Sequence, residues 1–306
     1  HSTPGSQNRC STRLSYTPNC ALIRYRSGRK RARPGRPLTL QGKPLDRSAM
    51  TNLSRPWPLG LGEKRWWVAI AGALVLLAVA LAFDRQLSLA AQALPEPVRQ
   101  VLAQFTPYGQ SGWILIPAAA LFVVTALVAL LVRWKLMRTM LWQFTSLYAF
   151  IFLGVGLPSL FTALVKRLIG RGRPVHFDDT GLLGLHANWF DWTYQSFPSG
   201  HATTAFALAA VIGFASERWF APMLLLASLI ALSRLTLGVH YPTDVIAGAI
   251  VGLLGAYAVR WVFAGRRWMF ERKPDGGITA RPMSSLKRYL ALKRRGSALV
   301  PKPDRP

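Results

Sequence analysis

Acidic residues and cysteines are both scarce in this 306-residue chain. Only 12 Asp and Glu stand against 38 Lys and Arg, and the two cysteines, Cys10 and Cys20, both lie near its start. With no cysteine after residue 20, the body of the chain cannot contain a disulfide framework or a cysteine-based zinc site. A formal net charge of +26 raises the possibility of a nucleic-acid partner. We disfavour that class because 51% of the residues are hydrophobic and the charge is segregated.

The positive charge lies mainly at the two ends of the chain. Residues 1–50 contain 11 Lys and Arg against one acid, and residues 266–306 contain 12 against three. The stretch between them, residues 51–265, contains 15 against eight. We therefore predict a basic N-terminal extension (1–49), a membrane domain (50–265) and a basic cytoplasmic tail (266–306).

Residues 1–49 are rich in Arg, Ser and Pro and have no sustained hydrophobic period. Such a segment buries too little apolar surface to offset the entropy of ordering, so it is predicted to be disordered. It is similar in composition to an organellar transit peptide. We favour a second interpretation, in which Met50 is the native start and the preceding residues are not native, because residues 50–65 lead directly into an apolar run.

Six apolar spans divide the rest of the chain: residues 66–83, 113–132, 140–165, 202–216, 219–233 and 245–259. The first two contain no charge over 18 and 20 residues, which is enough to cross a bilayer as helices. Gly154, Gly156 and Pro158 predict a kink or a close helix contact in the third. The predicted fold class is therefore all-α, a polytopic membrane protein built as a six-helix transmembrane bundle.

Positive residues between the spans set the predicted orientation. They precede the first span, lie between the second and third and between the fourth and fifth, and follow the sixth, so a six-crossing bundle places all of them on one side. The positive-inside rule makes that side cytoplasmic, together with both termini. The residues are Arg55, Lys64, Arg65, Arg133, Lys135, Arg138, Arg218, Arg266, Arg267, Arg272 and Lys273. The loop 84–112 is then outside, with either a short interfacial helix or an ordinary connector near residues 94–97.

Four cations break this rule, because Lys166, Arg167, Arg171 and Arg173 fall on the outer side. We interpret the exception as a site for phosphate. Three motifs meet at that face: K-x6-R-P at 166–174 ends the third span, P-S-G-H at 198–201 begins the fourth, and S-R-x5-H-x3-D at 233–244 joins the fifth and sixth.

Each cationic or capping residue in these motifs has a physical use in binding phosphate. Arg173 and Arg234 can fork onto phosphate oxygens, and Lys166 adds a point charge. Ser199 is a favourable N-cap, so the amides of Gly200 and of the next residue lie at a helix N-terminus, where an anion is stabilised.

The two histidines and one acid of the motifs suit catalysis. His201 and His240 can supply a nucleophile and a proton donor, because imidazole titrates near neutral pH. Asp244, four residues after His240, can hold one ring N–H. Taken alone, each residue could instead be an interfacial anchor or a structural histidine. About eleven identities at fixed spacings in one chain favour a joint site.

The three clusters resemble the signature motifs of the type 2 phosphatidic acid phosphatase family, membrane lipid phosphatases that share a site plan with glucose-6-phosphatase and vanadium haloperoxidases. The resemblance covers roughly residues 140–265. It implies that His240 is the nucleophile and forms a phosphohistidine, that Asp244 orients it, and that His201 is the general acid. It also implies that neither a metal nor a cofactor is needed and that phosphate is cradled by Lys166, Arg173, Ser199, Gly200 and Arg234.

Two further segments carry open alternatives. Residues 175–197 are either a lid that selects the lipid headgroup or an aromatic belt at the interface, of which we favour the belt. His176, Asp178 and Asp179 have no second ligand pair that would indicate a metal. The tail residues Leu286, Tyr289 and Leu290 share a helical face that either lies on the anionic inner leaflet or is solvated.

The predicted function is an integral membrane lipid phosphatase that acts on a phosphate monoester or diphosphate in the outer leaflet of a bacterial inner membrane, with its site facing the periplasm. A phosphotransferase would use the same site. A haloperoxidase-like use of vanadate and a non-enzymatic transporter or scaffold are disfavoured, the latter because the spans before the motifs contain no ionisable residues. Phosphatidic acid, phosphatidylglycerol phosphate, undecaprenyl diphosphate and lipid A phosphates all fit the motifs. The sequence does not indicate an oligomeric state.

Overall fold

A computed structural model describes residues 53–58, 66–182, 184–187 and 189–298. The predicted extension 1–49 lies outside this part of the chain. The described residues are mostly helical, as predicted, with one small hairpin, β1 (Phe270–Arg272) and β2 (Ile278–Ala280). The helices are α1 (Trp66–Gln92), α2 (Glu96–Ala103), α3 (Gly112–Leu131), α4 (Lys135–Ile169), α5 (Phe177–Thr180), α6 (Gly200–Ala215), α7 (Phe220–Thr236), α8 (Pro242–Gly265) and α9 (Ser284–Ala298).

Five helices, α1, α3, α4, α7 and α8, are long and apolar enough to cross a membrane, α7 together with the short turn before it. The predicted fourth span is α6, which has only 16 residues. At about 1.5 Å per residue it is shorter than a hydrocarbon core of about 30 Å. Most of its residues are small and buried. Helix α6 is therefore the centre of the bundle, packed against α4, α7 and α8.

Several helices extend beyond the predicted spans. The placement of Asp84 in an outer loop was wrong, because α1 continues to Gln92 and contains it. Helix α4 begins at Lys135 and includes Lys166 in its last turn. The reason is that a charge ends an apolar run in the sequence but does not end a helix. In the connection between α1 and α3, α2 confirms that a short helix is present, which was one of the two alternatives.

Small residues allow close approach among α4, α6 and α8. A Cβ added to Gly154 of α4 would lie 2.6 Å from a methyl group of Val211, and one added to Gly255 of α8 would lie 2.4 Å from Pro158. These glycines confirm the close helix contact predicted near residues 154–158. Tight packing of small residues is a common way for membrane helices to associate.

The hairpin and the segment before α1 close one end of the bundle. The Phe150 ring packs against Phe263 and Phe270 at centroid distances of 5.3 and 4.7 Å. The backbone N–H of Ile278 donates to the carbonyl of Ser54 at 2.6 Å. The predicted tail therefore begins with a strand pair that packs into the core. We call this the closed end of the bundle.

Large apolar side chains cover the outside of α1 and α3. Leu74, Ile116, Leu130 and Leu131 are all more than half exposed. Such a surface is costly in water and favourable in lipid. Together with the five long apolar helices, it identifies an integral membrane protein.

Candidate active site

The first motif lies where α4 ends. Gly170 terminates the helix with a left-handed φ of 64°, and a Cβ there would lie 2.0 Å from the His186 carbonyl oxygen. Only glycine fits this turn. Beyond it, the Arg173 side chain donates from Nε to the Trp192 carbonyl at 3.1 Å and lies over the Trp192 ring at 4.6 Å. Burial, partly opposed by Asp244, lowers the pKa of Arg173, which still leaves this guanidinium charged at neutral pH.

The second motif begins α6. Ser199 occupies the N-cap position, as predicted, but its side chain makes no capping hydrogen bond. Its backbone N–H donates to the Asp244 carbonyl at 2.9 Å, which joins the second motif to the third. A Cβ added to Gly200 would meet no atom within 4 Å, so the start of α6 faces open space. An anion can approach the backbone closely there.

The third motif spans the end of α7, a short loop and the start of α8. His240 is 3% exposed, and its Nδ1 lies 3.6 Å from Asp244 Oδ2 and 3.5 Å from the Ser196 hydroxyl. Asp244 Oδ2 accepts from Ser196 Oγ at 2.5 Å and from the Tyr241 backbone N–H at 2.8 Å. The carboxylate therefore faces the Nδ1 edge of the ring, which leaves Nε2 on the opposite edge.

Burial lowers the pKa of His240, although its contact with Asp244 acts in the opposite direction and raises it. Arg173 and Arg234 add to the lowering. The balance favours the neutral imidazole, which is the form that can act as a nucleophile.

The three motifs meet in one electrostatic cluster. His201 interacts with Arg234, His240, Arg173 and Lys166. Arg173 also interacts with Lys166 and with Arg234. Three cations this close repel one another, and a bound anion removes that repulsion. All eight residues that the sequence singled out thus lie in or beside one group.

Two buried polar atoms fit an oxyanion ligand. In the described part of the chain, Ser199 Oγ and Arg234 Nε are buried and have no hydrogen-bond partner in the protein. Both are donors, and buried donors normally have a partner. An oxyanion with several acceptor oxygens would satisfy both.

Sequence reasoning missed several residues that support this cluster. Arg171 and Asp84 form an ion pair at 2.8 Å beside Asp244, and Ser196 bonds to Asp244 directly. Gly109, in a 3₁₀ turn between α2 and α3, packs on His201. Two signals were available: Asp84 ends an apolar run in a chain poor in acids, and Arg171 lies among the outer cations.

The segment 175–197 forms short turns beside the site. The ring of His176 stacks on Tyr194 at 4.5 Å, and His186 lies 5.3 Å from the same ring. Trp189 and Trp192 are at least half exposed, and Phe190 is 98% exposed. Exposed aromatic rings suit an aromatic belt, while the bond from Arg173 to Trp192 also ties this segment to the site. The lid and the belt both stay predictions.

The bundle and its cationic end define a class of protein, a helical membrane hydrolase of the lipid phosphate phosphatase type. Comparison with known proteins makes the class specific. The family model described as the PAP2 superfamily matches residues 147–268. The chain is 31% identical over 240 residues to a lipid A 1-phosphatase of Rhizobium johnstonii, an alignment that covers 75% of this chain and 95% of the relative. The chain belongs to the PAP2 superfamily.

Other relatives match shorter stretches. A decaprenylphosphoryl-5-phosphoribose phosphatase of Mycolicibacterium smegmatis is 45% identical over 85 residues, which cover 28% of this chain and 43% of that protein. Among solved structures, a PAP2-type phosphatidylglycerolphosphate phosphatase of Bacillus subtilis matches with a TM-score of 0.41 and 25% identity, over 64% of this chain and 96% of that one. The family assignment confirms the resemblance stated from the motifs.

Proposed function

We propose that this protein hydrolyses a lipid phosphate through a phosphohistidine at His240, without a metal ion. The observation that carries the proposal is the cluster of His201 and His240 with Lys166, Arg173 and Arg234. A buried, neutral imidazole beside three cations has the charge arrangement that phosphoryl transfer requires.

In the first step, His240 Nε2 attacks phosphorus, and the bond from phosphorus to the lipid oxygen breaks. His201, which is protonated once the negatively charged phosphate is bound beside it, gives its proton to that oxygen, so the lipid leaves as an alcohol. The three cations neutralise charge on the equatorial oxygens. Asp244 stabilises the charge that develops on the His240 ring.

In the second step, water attacks the phosphohistidine and the bond between phosphorus and nitrogen breaks. His201, now neutral, accepts a proton from the water, and inorganic phosphate is released. Atoms and charges balance over the cycle with no oxidant or other reactant. Because Lys166, Arg173 and Arg234 supply the charge that a metal provides in other phosphatases, we expect turnover in EDTA.

The position of the segments that flank the bundle supports a periplasmic site. Residues 53–58 and the hairpin after α8 contact one another at the closed end, so the segments before and after the bundle lie at one end of it. A chain that crosses the membrane an even number of times enters and leaves the bundle on the same side. The number of crossings is six when α6, together with the motif residues that flank it, is counted as one crossing. The positive residues near the closed end favour the cytoplasm. We call the opposite end, where the three motifs meet, the motif end. It then faces the outer leaflet of a bacterial inner membrane.

An apolar groove supports a lipid substrate. It lies between α4 and α8, has a volume of about 440 Å³, and is lined by Leu157, Pro158, Phe161, Ile250, Val251 and Leu254 among others. Lys166 is about one and a half turns beyond Phe161 on the same helix. We assign the groove to an acyl chain of the substrate, whose phosphate lies at the cations above it.

For the headgroup we propose a phosphorylated glycolipid of the lipid A type. The support is similarity along nearly the whole length of a lipid A 1-phosphatase. Relatives that act on polyprenyl carriers match shorter stretches. Phosphatidic acid, phosphatidylglycerol phosphate and undecaprenyl diphosphate are the comparison substrates.

The test measures release of inorganic phosphate by purified protein from each of these lipids, in EDTA. His240→Ala and His240→Gln should both be inactive, orthovanadate should inhibit the unmodified protein, and acid-labile ³²P should label only chains that retain His240. His186→Ala, a histidine on the exposed neighbouring segment, is the matched control and should remain active. Transfer of phosphate to a second lipid without free phosphate would assign the site to a phosphotransferase, and a strict need for Mg²⁺ would contradict the mechanism.

A further inference from the structure

A buried guanidinium links the first membrane helix to the catalytic cluster. Arg171 is 4% exposed, and its side chain donates from Nη1 to Asp244 Oδ1 at 2.7 Å and from Nη2 to Asp84 Oδ2 at 2.8 Å. Both carboxylates are fully buried. Asp84 belongs to α1, outside the residues that match the family model.

The arrangement fixes Arg171 at several points. Its Nε donates to the Leu182 carbonyl at 3.0 Å, and its guanidinium lies over the Tyr241 ring at 4.5 Å. Asp84 also accepts from the Thr243 backbone N–H at 2.9 Å and from the Thr243 hydroxyl. Burial disfavours the charged guanidinium, but Asp244 and Asp84 more than offset this and raise the pKa of Arg171. The group is therefore a permanent buried charge with a defined position.

This charge acts on the nucleophile through one carboxylate. Asp244 Oδ1 is held by Arg171, and Asp244 Oδ2 faces His240 Nδ1. A carboxylate held at one oxygen cannot rotate without breaking that bond, so Arg171 sets the orientation of the oxygen that His240 meets. Asp84 in turn holds the other side of Arg171.

We propose that Arg171 and Asp84 are positioning residues for His240: they orient Asp244 and tune the charge that it presents to the imidazole. The proposal rests on the proposed function, in which neutral His240 is the nucleophile. It also makes α1 a component of the active site.

The two residues act with opposite sign on protonation of His240. Positive Arg171 offsets part of the negative field of Asp244, and negative Asp84 offsets part of the field of Arg171. The other charged, titratable or polar groups that face the His240 ring are unchanged in every variant below. They are Asp244 and Ser196 from the adjacent segments and Arg173, Arg234 and His201 from the other motifs.

The experiment compares the acid limb of kcat/KM against pH for Arg171→Gln and Asp84→Asn. In Arg171→Gln, Asp244 is unopposed and favours protonated His240, so the limb should move to higher pH. In Asp84→Asn, Arg171 is unopposed and disfavours protonated His240, so the limb should move to lower pH. Titration of the substrate phosphate is common to all the variants and does not affect the comparison. We expect kcat to fall on the order of tenfold in both, as for outer partners of a positioned histidine.

Two further variants protect the test against misfolding. Arg171→Lys keeps the charge but not the two-pronged geometry, so it should lower kcat without moving the limb upward. Arg171→Gln leaves both Asp84 and Asp244 buried without their cation, whereas the double variant Asp84→Asn with Arg171→Gln leaves only Asp244. The acid limb of the double variant should lie between those of the two single variants. Glu96→Gln and Arg99→Gln, an exposed ion pair in the outer connection, are the matched controls and should leave the limb in place.

The outcomes separate this proposal from the proposed function. Limbs that move in opposite directions support the positioning role. Variants that lose stability and activity together, with both limbs unmoved, would assign Arg171 and Asp84 to folding alone and overturn it. If the unmodified protein releases no phosphate in EDTA, or if His240→Ala stays active, the proposed function fails first.

Discussion

His240 is subject to two opposing influences at the scale of a single side chain. The contact of Nδ1 with Asp244 favours the protonated ring, whereas burial and two arginines favour the neutral ring. Burial is the largest of these contributions, so the pKa of His240 lies below its ordinary value of 6.5. The side chain is thereby kept in the neutral form that the proposed mechanism requires of a nucleophile, and that mechanism assigns Asp244 to stabilise the charge that forms on reaction.

This balance predicts the acid limb of the unmodified enzyme. In the proposed mechanism neutral His240 is the reactive form, so on the acid side activity should fall when the pH drops through the pKa of His240, below 6.5. The measurement is kcat/KM against pH with a series of lipid phosphates whose phosphate groups differ in pKa, which separates the titration of the lipid from that of His240. A histidine-dependent limb at or above pH 6.5 would contradict the assignment.

Gly200 offers a second prediction at this scale. A Cβ at this position would contact no protein atom, so Gly200→Ala should leave the thermal unfolding temperature nearly unchanged. The new methyl group would instead occupy the space that a phosphate oxygen takes at the start of α6. We expect weaker orthovanadate inhibition and a higher KM, by about tenfold, which corresponds to the loss of about 1.4 kcal/mol of binding.

The control for Gly200 is Gly112, which is also the first residue of a helix preceded by serine and also has open space at its Cβ position. Gly112→Ala should affect neither inhibition nor KM. Equal effects in the two variants would show that the methyl group acts on helix geometry and not on the ligand.

At the scale of elements, the sequence predicted the helices and the motifs but not the contacts that join them. Five long apolar helices and the convergence of the motifs at one end follow from local patterns, since a run of apolar residues or a fixed spacing is visible in one dimension. The ion pair from Asp84 to Arg171 spans 87 positions, and no local pattern identifies which partner a lone charge will meet. The apolar run 202–216 did predict a short α6, but not its place at the centre of the bundle, where its neighbours shield it and it does not need to match the bilayer.

The connection between α1 and α3 packs against the candidate site. Its 3₁₀ turn, Thr106–Gly109, packs on α6 and α7, with the Thr106 hydroxyl 2.7 Å from the hydroxyl of Ser233. Gly109 lies very close to His201. A Cβ added to Gly109 would be 2.7 Å from Cδ2 and 2.9 Å from Cβ of the His201 side chain. The turn therefore forms one wall of the pocket around the proposed general acid.

Gly109→Ala should consequently move His201 and reduce kcat on the order of 10- to 100-fold, because catalysis is sensitive to shifts of less than 1 Å in a reacting group. Activity should be lost at temperatures where circular dichroism still reports a folded helical protein. Gly156→Ala, whose added Cβ would make an ordinary contact at 3.4 Å with Leu115, is the comparison. Retention of full activity in Gly109→Ala would remove the turn from the site.

At the scale of the whole molecule, the two ends of the bundle have separate tasks. The motif end carries the charges of the proposed site, and the closed end is built around one buried arginine. Arg260 of α8 is 1% exposed and donates to the carbonyls of Leu53 and Arg55. Its guanidinium lies between the rings of Phe214 and Tyr257, at 4.0 and 4.6 Å. The segment before α1 is thereby anchored to the last helix of the bundle.

Arg260→Met should therefore lower stability and leave catalysis intact. It removes the donors for the carbonyls of Leu53 and Arg55, at a cost of about 1–3 kcal/mol for each buried acceptor that is not resatisfied by water. Helix α8 separates residue 260 from Asp244 by 16 residues, or about 24 Å, so KM, vanadate inhibition and the acid limb should not change. Thermal unfolding in detergent and the three kinetic quantities are measured on the same preparation, with Arg266→Met, an exposed cation just beyond α8, as the control. A change in the acid limb with no loss of stability would mean that the closed end is coupled to the chemistry, and the division of the bundle into two independent ends would be wrong.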